Sequence, residues 1–240
     1  VFAHGLAGSI AETRPFGSGV RGTRAFFHFR GHGGALPATK TPPERWRHAD
    51  LAAELRMVAD DTEATRAAGL SLGAGAILRL LADTPDRFER VVLLLPASLD
   101  TPRPDSVVAR MHAAADLVDR RDHDGLARAL RDLQPEVARS RPDVVAWSRE
   151  RAQALAGTPF AQIVRAFSRQ PPLTDRKVLA RCVVPVLVIG QAGDEAHPAE
   201  VAREVAAAFP RGELSLFPPG GLLWAHRQQV RERITAFLNG

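Results

Sequence analysis

Short, nearly continuous apolar runs alternate along this chain with longer stretches whose apolar residues recur at three- and four-residue spacing, and that alternation restricts the architecture more than any other feature. The short runs are Val1–His4, Arg24–Phe29, Val91–Leu95, Val184–Ile189 and Leu214–Phe217, with a weaker one just before Gly69. The longer ones are roughly Asp50–Thr62, Ala74–Thr84, Pro198–Phe209 and Trp224–Leu238. Strands that cross back through helices build a mostly parallel sheet, and near-continuous apolar strands are those covered by helices on both faces. Pro198 suits a first helical turn, where its missing N–H costs nothing.

Between Asp100 and Ala180 the alternation stops. Only helical segments follow one another there, Val107–Asp119, Gly125–Gln134, Val144–Leu155 and Phe160–Ser168, punctuated by Pro135, Pro142, Pro159 and Pro171–Pro172. The expectation is an α/β core formed by residues 1–100 and 181–240, with an all-helical cap, residues 101–180, inserted between two strands. A chain of 240 residues suits one such domain with an insertion. Gly33–Pro43 reads as loop, and neither an internal repeat nor a low-complexity segment interrupts the pattern.

Composition excludes several function classes. The single cysteine, Cys182, rules out a disulfide framework and points to a reducing compartment, so a cytoplasmic protein is expected, with Cys182 an inert buried thiol beside an apolar run. No run approaches the roughly 18 apolar residues of a membrane span, and nothing resembles a signal peptide. The chain opens at Val1 already inside a strand-like run, which leaves room for a natural start upstream. The net charge of +5 comes from 32 basic residues, of which only Lys40 and Lys177 are lysines, spread among 27 acids with no basic block carrying interleaved aromatics. No nucleic-acid or membrane partner is expected. A small-molecule substrate is expected, with no cofactor and no metal.

Three constellations carry chemistry. Gly69-Leu70-Ser71-Leu72-Gly73 follows a short strand and precedes a helix. A nucleophilic serine must project from a sharp strained turn, and small residues two before and two after it allow strand and helix to approach closely. His4-Gly5-Leu6-Ala7-Gly8-Ser9 follows the first strand, where a glycine-loosened turn can aim the N–H of Leu6 at a developing oxyanion; the second donor would be the N–H of Leu72. An ordinary strand-end loop with His4 as a hydrogen-bonded structural residue is the competing reading. Finally, Val186–Asp194 is a buried strand that ends in small residues and a carboxylate, and an acid so placed can orient an imidazole and stabilise its cation. Asp194 could instead cap the helix beginning near Pro198, and Asp100 is the weaker substitute.

HGLAGS, FRGHGG, GLSLGAG and VLVIGQAGDEAHP stand in one order, and together they resemble the α/β-hydrolase superfamily. The resemblance covers both sheet portions, and the helical insertion falls where that family commonly carries its cap. It implies Ser71 as nucleophile, Asp194 as acid and the N–H groups of Leu6 and Leu72 as oxyanion hole, with no cofactor. His32, in Arg30-Gly31-His32-Gly33, falls in a turn that is usually structural in the family. The hairpin that often opens the family's sheet is short or absent here.

The larger departure lies at FPPGGLLWAHR, residues 217–227. After the last strand the family offers a glycine and then the catalytic histidine, whereas Leu222 follows Gly220-Gly221 here. A serine hydroxyl without a base in reach is a poor nucleophile near neutral pH. Of the eight histidines, His28, His48, His112 and His123 have no motif support. His226 shares a helical face with Leu222 at i, i+4, though about 6 Å further along the axis. His197 follows Asp194 by three residues, and His4 lies beside the oxyanion turn. His226 is the first candidate for the base, with His197 and then His4 as the alternatives; His4, His197, Leu222 and Trp224 are expected to line the substrate site. Trp147, Phe160 and Phe167 are candidates for its remaining wall or for the cap core. The resulting expectation is a serine hydrolase acting on a small ester, thioester or lactone through an acyl-enzyme at Ser71. A cyclase or lyase of a natural-product pathway and a catalytically silent ligand binder are the alternatives if no histidine serves.

Overall fold

The computed structural model describes residues 1–35 and 41–240; the middle of the Gly33–Pro43 loop, residues 36–40, lies outside them. Five strands, β1 (Phe2–Ala3), β2 (Arg66–Leu70), β3 (Arg90–Leu94), β4 (Val186–Gln191) and β5 (Gly212–Phe217), form one parallel sheet in sequential order. The register sets Ala3 beside Gly69, Leu70 beside Leu94, Leu94 beside Ile189 and Gln191 beside Phe217. The carboxyl ends of all five strands therefore converge along one edge, where ligands of open parallel sheets bind.

Helices α1 (Ile10–Gly17), α2 (His48–Asp61), α3 (Leu72–Asp83), α8 (Ala199–Ala208) and α9 (Arg227–Asn239) flank the sheet. Side-chain alternation along the strands divides the core into two layers. Val91, Leu93, Val186 and Val188 pack with Leu51, Leu55, Ile77, Leu81 and Val205 on one face. On the other, Val92, Leu94, Leu187 and Ile189 pack with Phe16, Val230, Ile234 and Phe237. Each of these aliphatic side chains contributes about 1.5–3 kcal/mol by leaving water, and both layers converge on the strands that carry the site.

Between β3 and β4 the chain contains four α-helices, two short 3-10 turns and no strand, the α-helices being α4 (Asp105–Asp119), α5 (His123–Asp132), α6 (Pro142–Leu155) and α7 (Phe160–Phe167). They enclose a small core of their own, with Ala115, Leu126, Ala152, Leu155, Phe160 and Val164 at its centre. Leu6 and Ala7, in the turn after β1, pack against that cluster, so the helical segment lies over the carboxyl edge of the sheet.

Two local expectations are corrected. Arg24–Phe29 is not a strand: it makes one bridge, Phe26 with Phe2, and accepts the Phe2 N–H at Ala25 O (2.9 Å). The ladder ends there because β1 spans only Phe2–Ala3, and the N–H of Phe29 donates to His4 Nε2 at 3.1 Å. Trp224–Leu238 is not one continuous helix. Residues Gly221–Ala225 form a π-helical turn, closed by His226 N–H on Gly221 O at 3.2 Å, before α9 begins. Helix α1 follows directly on the glycine-rich turn His4–Ser9 and is held by Phe16, which is 2% exposed. No helix among the described residues is long and apolar enough to cross a membrane.

Helix α3 meets β2 at Gly69 and β1 at Gly73 with no space for an added methyl. A Cβ on Gly69 would lie 2.5 Å from the backbone of Gly73, and one on Gly73 would lie 2.5 Å from Ala3 O. Backbone cannot yield as a side-chain tip can, so Gly69→Ala and Gly73→Ala are each expected to lower stability by about 1–3 kcal/mol, read as the shift in the urea midpoint.

Candidate active site

Ser71 occupies the junction between β2 and α3 with φ 50° and ψ −102°. A non-glycine residue held there stores roughly 1–3 kcal/mol of backbone strain. The surroundings enforce it: Ser71 N–H donates to Leu94 O (2.9 Å) and Ser71 C=O accepts from Gly75 N–H (3.0 Å). The hydroxyl is thereby turned outward, above the sheet edge.

Its partner is His197. Ser71 Oγ lies 2.9 Å from His197 Nε2, and His197 Nδ1 lies 3.1 Å from Asp194 Oδ2. The other carboxylate oxygen, Asp194 Oδ1, accepts the N–H groups of Ala196 and His197, both at 3.0 Å. With Nδ1–H given to a carboxylate, Nε2 is the free acceptor for the serine proton. Burial alone would raise the Asp194 carboxyl, but the charge and hydrogen bond of His197 and the two backbone donors outweigh it and hold Asp194 below the usual carboxylate range. Asp194 remains ionised and fixes both the tautomer and the tilt of the imidazole.

The loop after β4 makes this possible within three residues. Gly193 takes φ +73°, which turns the chain so that Asp194 folds back onto its own following backbone. Pro198 then starts the approach to α8 with φ −55°, holding the residue before it away from helical geometry. His197 points back toward Ser71 as a result.

His226 does not join this chain of hydrogen bonds. Its Nε2 lies 3.4 Å from Pro219 O, its Nδ1 lies 3.3 Å from Gln229 Oε1, and its ring rests against Phe217. The face-sharing that would carry it toward Ser71 assumes an α-helix through residues 222–226, whereas that stretch is the π-helical turn. Gly220 at φ 151° and Gly221 at φ 92° set the corner. Leu222 is 2% exposed and belongs to the core layer beneath α9 while also facing the cavity.

A cavity of about 190 Å³ opens over Ser71, between the sheet edge and the helical segment. Leu6, Leu72, His197, Leu222 and Trp224 all line it, as do Trp147, Phe160 and Phe167. Trp224 Nε1 donates to Gln134 Oε1 at 3.0 Å and its ring meets Trp147 edge-on at 5.4 Å. His4 is not part of the lining. It is fully buried, donating from Nδ1 to Gly5 O (2.8 Å) and accepting the Phe29 N–H on Nε2, so its expected place at the substrate becomes a structural one. Asp100 is likewise engaged elsewhere, with Arg176 Nε at 2.9 Å.

The turn that presents Leu6 is buttressed by histidines. His32 accepts the Ala7 N–H on Nε2 (3.3 Å) and donates from Nδ1 to Arg30 O (2.9 Å), while His28 Nε2 accepts the Ile10 N–H (3.2 Å). Neither Leu6 N–H nor Leu72 N–H donates to a protein acceptor among the described residues. Leu72 N–H is one of the unpaired donors at the start of α3, where the helix dipole adds to its pull on an anion.

Sequence reasoning passed over Gln191. It ends β4 on the cavity wall, 1% exposed, and neither Oε1 nor Nε2 has a protein hydrogen-bond partner among the described residues. The signal was present as a polar residue at the carboxyl end of an otherwise apolar strand. An unsatisfied buried group costs about 1–3 kcal/mol. Gln191→Leu is therefore expected to raise unfolding stability by on the order of 1 kcal/mol, measured by urea denaturation.

Buried histidines also make the fold acid-sensitive. Burial, reinforced by neighbouring positive charge, lowers His4 and His48 from 6.5 to about 3. Both are neutral when folded and take up protons when unfolded. Their contribution is complete above pH 6.5 and is lost as pH falls toward about 3, at up to ~1.4 kcal/mol per pH unit for each. The urea midpoint is expected to drop between pH 7 and pH 5, with a shallower slope in His48→Leu.

The sequence pattern of the Alpha/beta hydrolase family matches residues 1–233. No curated protein matches the chain. Among solved structures, Rv0554 from Mycobacterium tuberculosis superposes with a TM-score of 0.72 at 22% identity, covering 98% of this chain and 88% of its own. The esterase EaEST from Exiguobacterium antarcticum gives 0.78 at 15% identity, covering 100% and 91%. The hydrolase olei00960 from Oleispira antarctica gives 0.75 at 16% identity, covering 99% and 89%. At these identities the likeness is one of fold.

Proposed function

Because the chain belongs to the alpha/beta hydrolase family, we propose that it is a serine hydrolase that cleaves a small carboxylic ester, thioester or lactone, with Ser71 as nucleophile and His197 as general base. The observation that carries this reading is the relay Ser71 Oγ to His197 Nε2 at 2.9 Å and His197 Nδ1 to Asp194 at 3.1 Å. The base comes from the acid's own loop, and Leu222 fills the place where the family's histidine is due.

In the first half-reaction Ser71 Oγ attacks the carbonyl carbon while its proton passes to His197 Nε2. The oxyanion is held by the N–H groups of Leu6 and Leu72, donors that need no reorganisation as charge develops. Collapse breaks the bond to the leaving oxygen or sulfur, which takes the proton from His197. Water then gives a proton to His197 and attacks the acyl-enzyme, releasing the acid and restoring Ser71. Asp194 stabilises the imidazolium in both steps. The helical segment 101–180 acts as a cap that supplies the apolar wall, and the lone buried Cys182 suits a reducing, cytoplasmic setting.

The non-hydrolytic readings rested on the lack of a base, and the contact between Ser71 and His197 supplies a candidate for it. A fluorophosphonate probe should label the protein and lose that labelling in Ser71→Ala; an unlabelled wild type beside a labelled control hydrolase would refute the activated serine. In a p-nitrophenyl ester assay His197→Ala should lower kcat by about 10²–10⁴-fold, the usual weight of a general base. His226→Ala should stay within about twofold. The reverse ranking would return the role to His226.

A further inference from the structure

Charged side chains that line the cavity are matched with one exception. Arg151 is ion-paired with Glu12, and Asp194 is paired with His197. Arg103 has no carboxylate partner among the described residues, and residues 36–40, Leu-Pro-Ala-Thr-Lys, contain no acid. Its Nη1 donates to Phe167 O and Ser168 O at the end of α7, both at 3.2 Å. The three N–H groups on Nε and Nη2 donate to no protein atom among the described residues. The guanidinium is desolvated, which pulls Arg103 from 12.5 to about 10. Its charge reaches the buried neutral His48, which offers it no compensation.

An arginine whose only task was to cap α7 would have no reason to face a cavity over a serine, since a helix C-terminus can be capped equally well from solvent. Arg103 keeps partial contact with solvent, but much of its guanidinium is withdrawn from water, and a desolvated cation without a counter-ion is costly unless something else supplies the negative charge. Arg103 is also held in place before any ligand arrives. It stands between Pro102 and Pro104, whose fixed rings restrict the backbone on both sides, and Val107, Val164 and Phe167 line the cavity beside it. A planar fork with free donors in an apolar cavity is suited to bidentate recognition of a carboxylate.

We propose that Arg103 is the subsite for an ionised carboxylate of the substrate, so that the compound cleaved at Ser71 is an ester that also carries a free acid, such as a hemi-ester of a short dicarboxylic acid. Binding of the carboxylate stands on the geometry of Arg103 alone; cleavage of such a compound rests on the hydrolase reading above.

Binding is tested without catalysis by titrating Ser71→Ala with the dicarboxylates succinate through suberate in a calorimeter. At least one should bind, and adding Arg103→Gln should weaken it at least about tenfold, the loss of a charge-assisted pair. If Arg103→Gln fails to fold because α7 loses its cap, Arg103→Lys, which keeps the charge but not the fork, should weaken binding several-fold. No binding by any of the series, or binding indifferent to the variant that folds, overturns the subsite. Turnover then separates the two proposals. Wild type should favour mono-p-nitrophenyl esters of these acids over neutral p-nitrophenyl esters of equal chain length by about tenfold or more in kcat/KM, and the ratio should fall toward one in the Arg103 variant. Hydrolysis of neutral esters with no such preference sinks the carboxylate subsite and leaves the hydrolase; Arg103-dependent binding with no turnover of any ester and no labelling of Ser71 does the opposite.

Discussion

Helix α3 approaches β2 at Gly69 and β1 at Gly73 so closely that no Cβ fits at either glycine, and the rest of the site depends on those contacts. The approach forces Ser71 to a positive φ, lifts its hydroxyl above the sheet edge and leaves the first N–H of α3 free for an oxyanion. The same register brings the end of β4 into line, so the loop that begins at Ala192 emerges where an imidazole can reach the serine. Strain at one residue is maintained by two layers of buried aliphatic side chains on either face of the sheet.

An imidazole that is to meet the Ser71 hydroxyl can come from any segment that ends beside it, and here it comes from the loop that carries Asp194. Asp194 and His197 are three residues apart, and the turn between them is closed by the carboxylate's own hydrogen bonds to Ala196 and His197 N–H. A compact pair of this kind makes the corner after β5 available for packing. Leu222 fills it as part of the core layer, and Trp224 ties the corner to the helical segment through Gln134. Gln191, buried beside Phe217 with no protein hydrogen-bond partner among the described residues, is a cost the site carries.

Polar groups around the cavity divide into those that hold shape and those left unmatched. His4, His28 and His32 spend their ring nitrogens on backbone groups and set the turn that presents Leu6. Glu12 and Arg151 neutralise each other between α1 and α6. Arg103 lines the same cavity with no carboxylate partner among the described residues, and it lies far from the serine in sequence.

Alternation of apolar runs was enough to read the parallel sheet, its flanking helices and the helical insertion, because burial on both faces of a strand leaves a local record in hydrophobicity. The Gly69–Gly73 turn and Asp194 were legible for the same reason: small residues and a carboxylate at a strand's end have few other uses together. The failure of Arg24–Phe29 to extend the sheet was not legible, since pairing depends on how far β1 runs beside it. Nor was the histidine that meets Ser71. Ser71 and His197 are 126 residues apart, and the helical face that favoured His226 exists only if the corner is α-helical, which the positive φ angles of Gly220 and Gly221 and the π-helical turn prevent. Sequence determines which groups are available and which elements carry them. Tertiary structure decided which of them meet, because a hydrogen bond is made or lost over distances shorter than one helical turn.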